Sequence, residues 1–505
     1  MEAVQNQKKV PRRIAQAVIG SLKGGVVPRI GLPYITVGRK AEIDALLSDV
    51  DIIKEGGASF RFIVGRYGSG KSFLLQTIRN YVMDRNFVVC DADLSPERKL
   101  TGTKGQGLAT YRELIGNLAT KTRPEGGALS LVLDRWLSGV QMQVEEEMSQ
   151  AVLSASVSES AGAGGSAQES GDVSPDSPKF LARVKDRIRA VVNSISGLVH
   201  GFDFARILTL YYEAWQSGDD DQKAKVLKWF RGEYQNKTEA KADLGVNVVI
   251  SDEDWYDYLK LFAYFFRQAG YQGLLIFIDE LVNIYKIPNS IARNNNYEKI
   301  LTMYNDALQG KAHYIGILMS GTPQCVEDTR RGIYSYDALR SRLKEGKFSQ
   351  AGARDMLAPV IRLEPLSPEE MLVLTEKLSD MHSQLYKYES RVTLQDRVTF
   401  IKLEFSRVGA DSHITPREII RDFIELLDIL WQHPEKKAAD LLGSGEFSYS
   451  APAPLSQDLS MSSGSTGSGA SGSGNAGGAP GGSGQGGSKA GFGGEDLGEF
   501  STFTL

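Results

Sequence analysis

GRYGSGKS, at residues 65–72, is the stretch of the sequence that decides the fold. It follows the β-prone run from Phe60 to Val64 and leads into a helical stretch from Ser72 to Arg85. A glycine-rich turn between a strand and a helix folds around a phosphate, because its main-chain N–H groups point inward and the helix dipole adds positive charge there. The octapeptide therefore predicts a nucleotide-binding loop.

Two side chains of this octapeptide supply the chemistry. The Lys71 ammonium can reach the β and γ phosphates, and the Ser72 hydroxyl can bind Mg²⁺. We therefore expect a nucleoside triphosphate with Mg²⁺ as the ligand. The positions expected around the phosphates are Gly65, Gly68, Ser69, Gly70, Lys71 and Ser72.

A second informative stretch is LLIFIDE at residues 274–280, an unbroken apolar run that ends in two carboxylates. Such a run is typical of a buried central strand, whose C-terminal end lies at the ligand-binding edge of an open α/β sheet. We expect Asp279 to bind Mg²⁺ through water and Glu280 to polarise the attacking water. The alternative is a strand followed by an acidic pair at a helix N-terminus. The adjacent glutamate favours hydrolysis over a purely nucleotide-gated switch.

A third stretch, YIGILMSGTP at residues 314–323, is another apolar strand that ends in small hydroxyl residues. In an ATPase of this layout, a polar side chain at this point can sense the γ-phosphate. Ser320 is the first candidate for that role and Thr322 the second. The alternative is that both residues form only a turn and a helix cap.

Two arginine-bearing segments follow. YSYDALRSRL spans residues 334–343, and an arginine from a neighbouring subunit could there meet the charge that develops on the γ-phosphate. Such a role requires an oligomer, whereas a solvated basic helix face does not. TPRE, at residues 415–418, opens a helix with a cap residue followed by proline. Arg417 could reach the nucleotide as the second sensor of a helical lid, or it could only form a salt bridge at the helix start.

The whole chain indicates an α/β protein, because β-prone runs alternate with helical stretches as in a parallel sheet covered on both faces. We expect a P-loop NTPase sheet with a helical insertion and a C-terminal helical lid. The predicted divisions are an N-terminal segment with the first part of the core (1–150), a disordered loop (151–178), a helical insertion (179–270), the second part of the core (271–365), the lid (366–442) and a flexible Gly/Ser-rich tail (443–505).

Composition excludes several classes of protein. The chain has 505 residues, of which 41% are hydrophobic, and its formal charge of -4 gives no overall attraction to nucleic acid or to anionic membranes. Two cysteines and five scattered histidines provide neither a disulfide framework nor a zinc site. No apolar stretch approaches the roughly 20 residues that span a bilayer. These features predict a cytoplasmic protein without a membrane partner.

The Asp-Glu pair, the Ser-Arg segment and the lid arginine together resemble the AAA+ ATPases, nearest the origin-recognition and initiator branch. Three stretches resemble, more narrowly, the ATP-binding proteins of BREX-type bacteriophage-exclusion systems and related bacterial defence and stress clusters. They are PRRI to YITVGRKAE (residues 11–42), the phosphate loop, and SGTP to RL (residues 320–343). The resemblance covers roughly Pro11 to Leu430 and excludes the biased loop and the tail.

The resemblance implies an ATPase that forms homo-oligomers and works with partner proteins in a DNA-linked defence or stress pathway. Arg342 resembles the finger of AAA+ Ser-Arg boxes, with Arg340 next and Arg330 or Arg331 as more distant candidates. Gly38 and Arg39 would lie near adenine and ribose; alternatively, they form a surface turn before a helix.

The function expected from these signals is ATP hydrolysis coupled to assembly or remodelling of a DNA-associated complex. The alternative is a nucleotide-dependent scaffold or signalling switch with slow turnover. DNA could contact the basic run at residues 181–190, although such runs are more often solvated helix faces. The acidic and apolar end of the tail, residues 492–505, could dock on another protein or be a plain disordered end.

Overall fold

The computed structural model describes residues 10–159, 177–346, 354–406 and 415–443. A parallel sheet of five strands, in the order β2-β3-β4-β1-β5, is the centre of this part of the chain. The strands are β1 (Ala58–Val64), β2 (Val88–Asp93), β3 (Leu274–Asp279), β4 (Ile315–Gly321) and β5 (Val360–Arg362). The prediction of an α/β protein with a parallel sheet is confirmed.

Alternate residues of the strands pack into two different apolar clusters. In β1, Phe62 and Val64 belong to one cluster, whereas Ile63 between them belongs to the other. In β3, Ile276 and Phe277 divide in the same way. Because side chains alternate across a strand, the two clusters lie on opposite faces of the sheet. Burial on both faces explains why β3 is an unbroken apolar run.

Helices cover the sheet and form the rest of the described chain. They are α1 (Arg12–Lys23), α2 (Leu32–Ile35), α3 (Lys40–Lys54), α4 (Lys71–Asp84), α5 (Gln106–Gly116), α6 (Leu129–Glu159), α7 (Pro178–Ser196), α8 (Gly201–Ser217), α9 (Asp220–Phe230), α10 (Lys237–Leu244), α11 (Trp255–Gln268), α12 (Val282–Tyr285), α13 (Ser290–Leu308), α14 (Pro323–Glu327), α15 (Asp337–Leu343), α16 (Pro368–Tyr386), α17 (Leu394–Ser406), α18 (Pro416–Gln432) and α19 (Ala438–Gly443). None of these helices combines the length and the apolar character that a membrane crossing needs.

The helical region between β2 and β3 is larger than the insertion predicted at residues 179–270. Helices α5 and α6 precede that segment, and α6 continues to Glu159, into the loop predicted at residues 151–178. Alanine and serine are tolerated in a helix, so a stretch rich in them can extend one that has begun on apolar contacts. The remainder of the predicted loop, residues 160–176, lies outside the described residues, as does the predicted tail beyond Gly443.

A separate apolar cluster joins the two ends of the described chain. Ala15, Val18 and Ile19 of α1 pack with residues of the C-terminal helices α16–α19, such as Leu378 and Phe423. Helix α1 contacts both α16 and α18. The N-terminal helix is therefore packed with the helices predicted to form a lid.

Candidate functional site

The phosphate loop lies between β1 and α4, and its main-chain oxygens accept hydrogen bonds from Lys71. Gly68 and Gly70 have φ angles of 75° and 93°, a left-handed conformation that side chains other than glycine rarely adopt. The Lys71 Nζ atom donates hydrogen bonds to the main-chain oxygens of Gly65 and Arg66, each at 2.9 Å. Burial lowers the pKa of Lys71, while Asp279 and other acidic neighbours oppose the shift. A buried cation thus faces the concave side of the loop.

The Asp279 carboxylate, at the end of β3, is the centre of the hydrogen bonding beside the loop. Its Oδ2 atom accepts a hydrogen bond from the Ser72 hydroxyl at 2.7 Å. Its Oδ1 atom accepts one from the main-chain N–H of Glu280 at 2.7 Å and another from the Ser320 hydroxyl. The order of the strands explains why Ser72, Asp279 and Ser320 lie together. Strand β4 lies between β1 and β3, and the three parallel strands end at the same edge of the sheet.

This donor set suits a magnesium ion. Mg²⁺ prefers oxygen ligands and usually keeps several waters, binding through one or two protein groups and the substrate phosphates. The Ser72 hydroxyl and the Asp279 carboxylate, within hydrogen-bonding distance of each other and both in the wall of one cavity with Lys71, fit that requirement.

Glu280 lines the same cavity and has a φ angle of 62°. Left-handed backbone is uncommon for a residue with a side chain, and such strain concentrates at functional positions. Burial raises the pKa of Glu280, Asp279 raises it further, and Lys71 lowers it. The carboxyl group is therefore held half-buried between a like charge and an opposite charge.

The two candidate γ-phosphate sensors differ in position. Ser320 is fully buried, and its hydroxyl is engaged by Asp279. Thr322 lines the cavity directly. The structure thus assigns Ser320 to the orientation of Asp279 and leaves Thr322 as the hydroxyl that faces the cavity.

Gly38 and Arg39 are expected beside adenine and ribose, and the guanidinium of Arg39 lies against the phosphate loop. Its Nη2 atom donates to the main-chain oxygens of Ser69 at 3.1 Å and Glu364 at 2.9 Å. Gly38 has a φ angle of 66°, and a Cβ atom there would come within 2.3 Å of the Glu370 carboxylate. Arg39 lines the cavity, whereas Gly38 is a close-packing position beside α16.

The two arginines expected to complete the site are placed differently. Arg417, in the first turn of α18, lines the cavity. Arg342, in the last turn of α15, is exposed and is not among the residues described as lining the cavity. Its Nη1 atom donates to the main-chain oxygen of Ala338 in its own helix at 2.7 Å. Of these two arginines, Arg417 is thus the one in the described cavity wall.

The cavity encloses about 1100 Å³, including the part open to solvent. Its wall combines polar groups such as Lys71 and Asp279 with apolar side chains of the kind that pack against the base of a nucleotide. The apolar wall comes from both ends of the described chain: Leu22, Val26, Val27, Ile35, Val37, Leu366, Leu374 and Ile420. The sequence analysis missed this wall, because no local pattern reports contacts between residues about 400 positions apart.

Asp93, at the end of β2, is another acidic residue that the sequence analysis missed. It pairs in register with Asp279 on β3. Burial, and next the charge of Asp279, raise the pKa of Asp93 to about 6. The acidic sequence Asp91-Ala92-Asp93 at the end of β2 was the available signal for such a residue. Only the register of β2 with β3 shows that Asp93 lies beside Asp279.

Gly68 of the phosphate loop packs closely against Thr415, the residue before α18. We expect Gly68→Ala to weaken nucleotide binding at least about tenfold. A Cβ atom there would lie 2.5 Å from the Thr415 Oγ1 atom, and an alanine in the left-handed region costs about 1–2 kcal/mol. Calorimetric titration with ATP measures the effect. Gly116→Ala is the control, because a Cβ atom at Gly116 meets nothing within 4 Å. Unchanged affinity in Gly68→Ala would contradict the contact.

Comparison with known protein families agrees with this geometry. The family model described as BREX system ATP-binding protein BrxC/D matches residues 10–164 and 162–446. The phosphate loop, Asp279, Glu280 and Arg417 all lie within the matched residues. A comparison with curated protein sequences gave no match.

Proposed function

The chain belongs to the BREX system ATP-binding protein family BrxC/D, and on that premise we propose that it is a Mg²⁺-dependent AAA+ ATPase of phage defence. Its hydrolysis cycle would drive assembly or remodelling of a DNA-associated complex. The observation that carries the proposal is the convergence of Lys71, Ser72 and Asp279 in the wall of one cavity that is otherwise largely apolar.

The strand order supports the AAA+ assignment. β4 separates the strand before the phosphate loop from the strand that ends in Asp279 and Glu280. A hydroxyl-bearing strand therefore lies between the two halves of the site. The helices α16–α19 would be the lid, since Arg417 reaches the cavity from α18 and Leu374 from α16.

Each side chain has a distinct task in the proposed reaction. Lys71 neutralises the β and γ phosphates, and Ser72 with Asp279 would hold Mg²⁺, which offsets phosphate charge when bound. Glu280 accepts a hydrogen bond from the attacking water and orients it in line with the leaving oxygen. Ser320 fixes the Asp279 carboxylate, and Arg417 meets the phosphates when the lid closes.

Steady-state phosphate release tests the proposal. We expect hydrolysis that depends on Mg²⁺ and a rate that changes when DNA is added. Turnover that is insensitive to DNA across a range of salt would contradict the DNA-associated role, because contacts to DNA phosphates depend steeply on salt. Negligible turnover despite tight ATP binding would favour the alternative, a nucleotide-dependent scaffold or signalling switch.

Arg342→Ala is expected to lower turnover about 1000-fold while ATP affinity changes little, because an arginine finger acts on the transition state. Its exposed position away from the cavity of its own chain supports a role in a neighbouring subunit. Turnover and particle mass with ATP measure the effect. Arg85→Ala is the control, since Arg85 is also an exposed arginine outside the described cavity wall and pairs with Asp51. A fully active monomer would contradict a finger supplied in trans.

Other expectations stay predictions. The basic side chains of residues 181–190 are exposed on α7, where Arg187 pairs with Glu147 and Arg189 with Asp186, as on a solvated helix face. Docking of partner proteins through the tail is proposed from composition alone. Deletion of residues 444–505 without loss of any interaction would rule it out. A cytoplasmic location is likewise a prediction.

A further inference from the structure

A network of hydrogen-bonded polar side chains lies between α1, α16 and α18. The His382 Nδ1 atom lies 2.8 Å from the Tyr388 hydroxyl, and its Nε2 atom lies 3.1 Å from Asp428 Oδ1. The Lys23 ammonium donates to Asp428 Oδ2 at 2.5 Å. His382 has no exposed surface, and Asp428 is only 7% exposed. The network links α16, α18 and the end of α1.

The charges in this network balance. Burial lowers the pKa of His382, so its imidazole is neutral at neutral pH. The partners then assign the tautomer, in which Nε2–H donates to Asp428 and Nδ1 accepts from Tyr388. The hydrogen bond that Lys23 donates to Asp428 raises the pKa of Lys23, which stays protonated. One buried carboxylate is thus paired with one ammonium, as a buried charge requires.

The ion pair connects two elements that each contribute residues to the cavity wall. Lys23 is the last residue of α1, and Gly25, Val26 and Val27 after it line the cavity. Asp428 lies about three turns after Arg417 on α18. The pair therefore joins one segment of the cavity wall to the helix that carries Arg417.

We propose that the Lys23–Asp428 pair is a positioning contact that makes the base wall at residues 25–27 and the Arg417-bearing helix move as one body. Recognition of the base would then help to place Arg417 at the phosphates. This inference rests on the proposed nucleotide function of the cavity.

Lys23 is not needed to hold α1 in place, so its role in positioning can be tested apart from the stability of the fold. Buried apolar residues of α1, such as Val18 and Ile19, already hold the helix against α16 and α18. The Lys23 side chain is 58% exposed, so its loss leaves no cavity. The next residues are Gly24 and Gly25, and Gly25 has a φ angle of 69°. Gly25 and Val26 stay hydrogen-bonded to Leu22 and Ser21 of α1. Loss of the ion pair should therefore loosen the end of α1 and the wall that follows it, while the rest of α1 remains packed.

Binding of ATP and of inorganic tripolyphosphate to the full chain tests the proposal, because only ATP carries a base. For Lys23→Gln we expect ATP affinity to fall about tenfold and tripolyphosphate affinity to stay within about twofold of wild type. Lys54→Gln is the matched control, since Lys54 is also an exposed lysine in the last turn of a helix. Asp428→Asn, checked for folding by thermal unfolding, should repeat the split.

Two results would overturn the inference: an equal loss for both ligands, which indicates a general structural role, or no loss for either. A wild-type chain that binds neither ligand would instead refute the nucleotide function itself. The ratio of the two affinities therefore tests the positioning contact separately from the site.

Discussion

Lys71→Ala is expected to reduce ATP affinity at least about 100-fold and to abolish turnover. Hydrogen bonds to charged groups contribute about 1.5–3 kcal/mol each, and the ammonium would meet oxygens of two phosphates. Since about 1.4 kcal/mol corresponds to a factor of ten, two such contacts account for the expected loss. Calorimetric titration with ATP and an assay of phosphate release measure the two effects.

The matched control for this variant is Lys40→Ala. Lys40 is the first residue of α3, as Lys71 is of α4, but it is exposed and not in the described cavity wall. Thermal unfolding shows whether Lys71→Ala keeps its fold, since the variant loses two hydrogen bonds to main-chain oxygens. A folded Lys71→Ala protein with undiminished activity would refute the phosphate-loop assignment.

Glu280→Gln is expected to lower turnover about 100- to 10,000-fold while ATP still binds, because general-base catalysis contributes a factor of that size. The amide has nearly the same shape as the carboxylate but does not take up a proton. The raised pKa of Glu280 adds a pH signature. Wild-type turnover should fall as acid protonates the carboxylate, beginning at a higher pH than for an ordinary glutamate. The residual turnover of the variant should lack this acidic limb.

Rates and ATP affinity measured across pH for both proteins test this expectation. Glu55→Gln, at the exposed end of α3, is the control for a loss of negative charge. An equal rate in wild type and Glu280→Gln would contradict the role of Glu280 as the base. If both rates were negligible, the chain would act as a switch instead.

Strands with strong local patterns could be predicted from the sequence. Strand β3 is the apolar run at residues 274–278 with one further residue, Asp279. Strand β1 contains the expected run at residues 60–64 and begins two residues earlier, at Ala58. β5 was missed because its three residues are too few to show any periodicity. The cap Thr415 before Pro416 predicted the start of α18 correctly, since capping is a local interaction.

The candidate site divides in the same way. Lys71 and Ser72 are recognisable because the loop, its strand and its helix are contiguous in sequence. The contact of Ser72 with Asp279 follows only from the order of the strands, and the apolar wall near Val26 follows only from the packing of distant helices. The contacts of Arg39 with the Ser69 and Glu364 carbonyl groups could not be predicted, because they are made to backbone groups that no side-chain pattern reveals.

The packing of α1 against α16 and α18 has a consequence for biosynthesis. Lys23 and Asp428 are 405 positions apart, so the ribosome releases α1 long before its partners exist. At about 5–20 residues per second, the apolar stripe of α1 waits roughly 20–80 seconds for α18. During that interval Val18 and Ile19 of the nascent chain are exposed to water. Exposed apolar side chains of this kind are what chaperones bind. Completion of the nucleotide pocket is accordingly among the last events of folding.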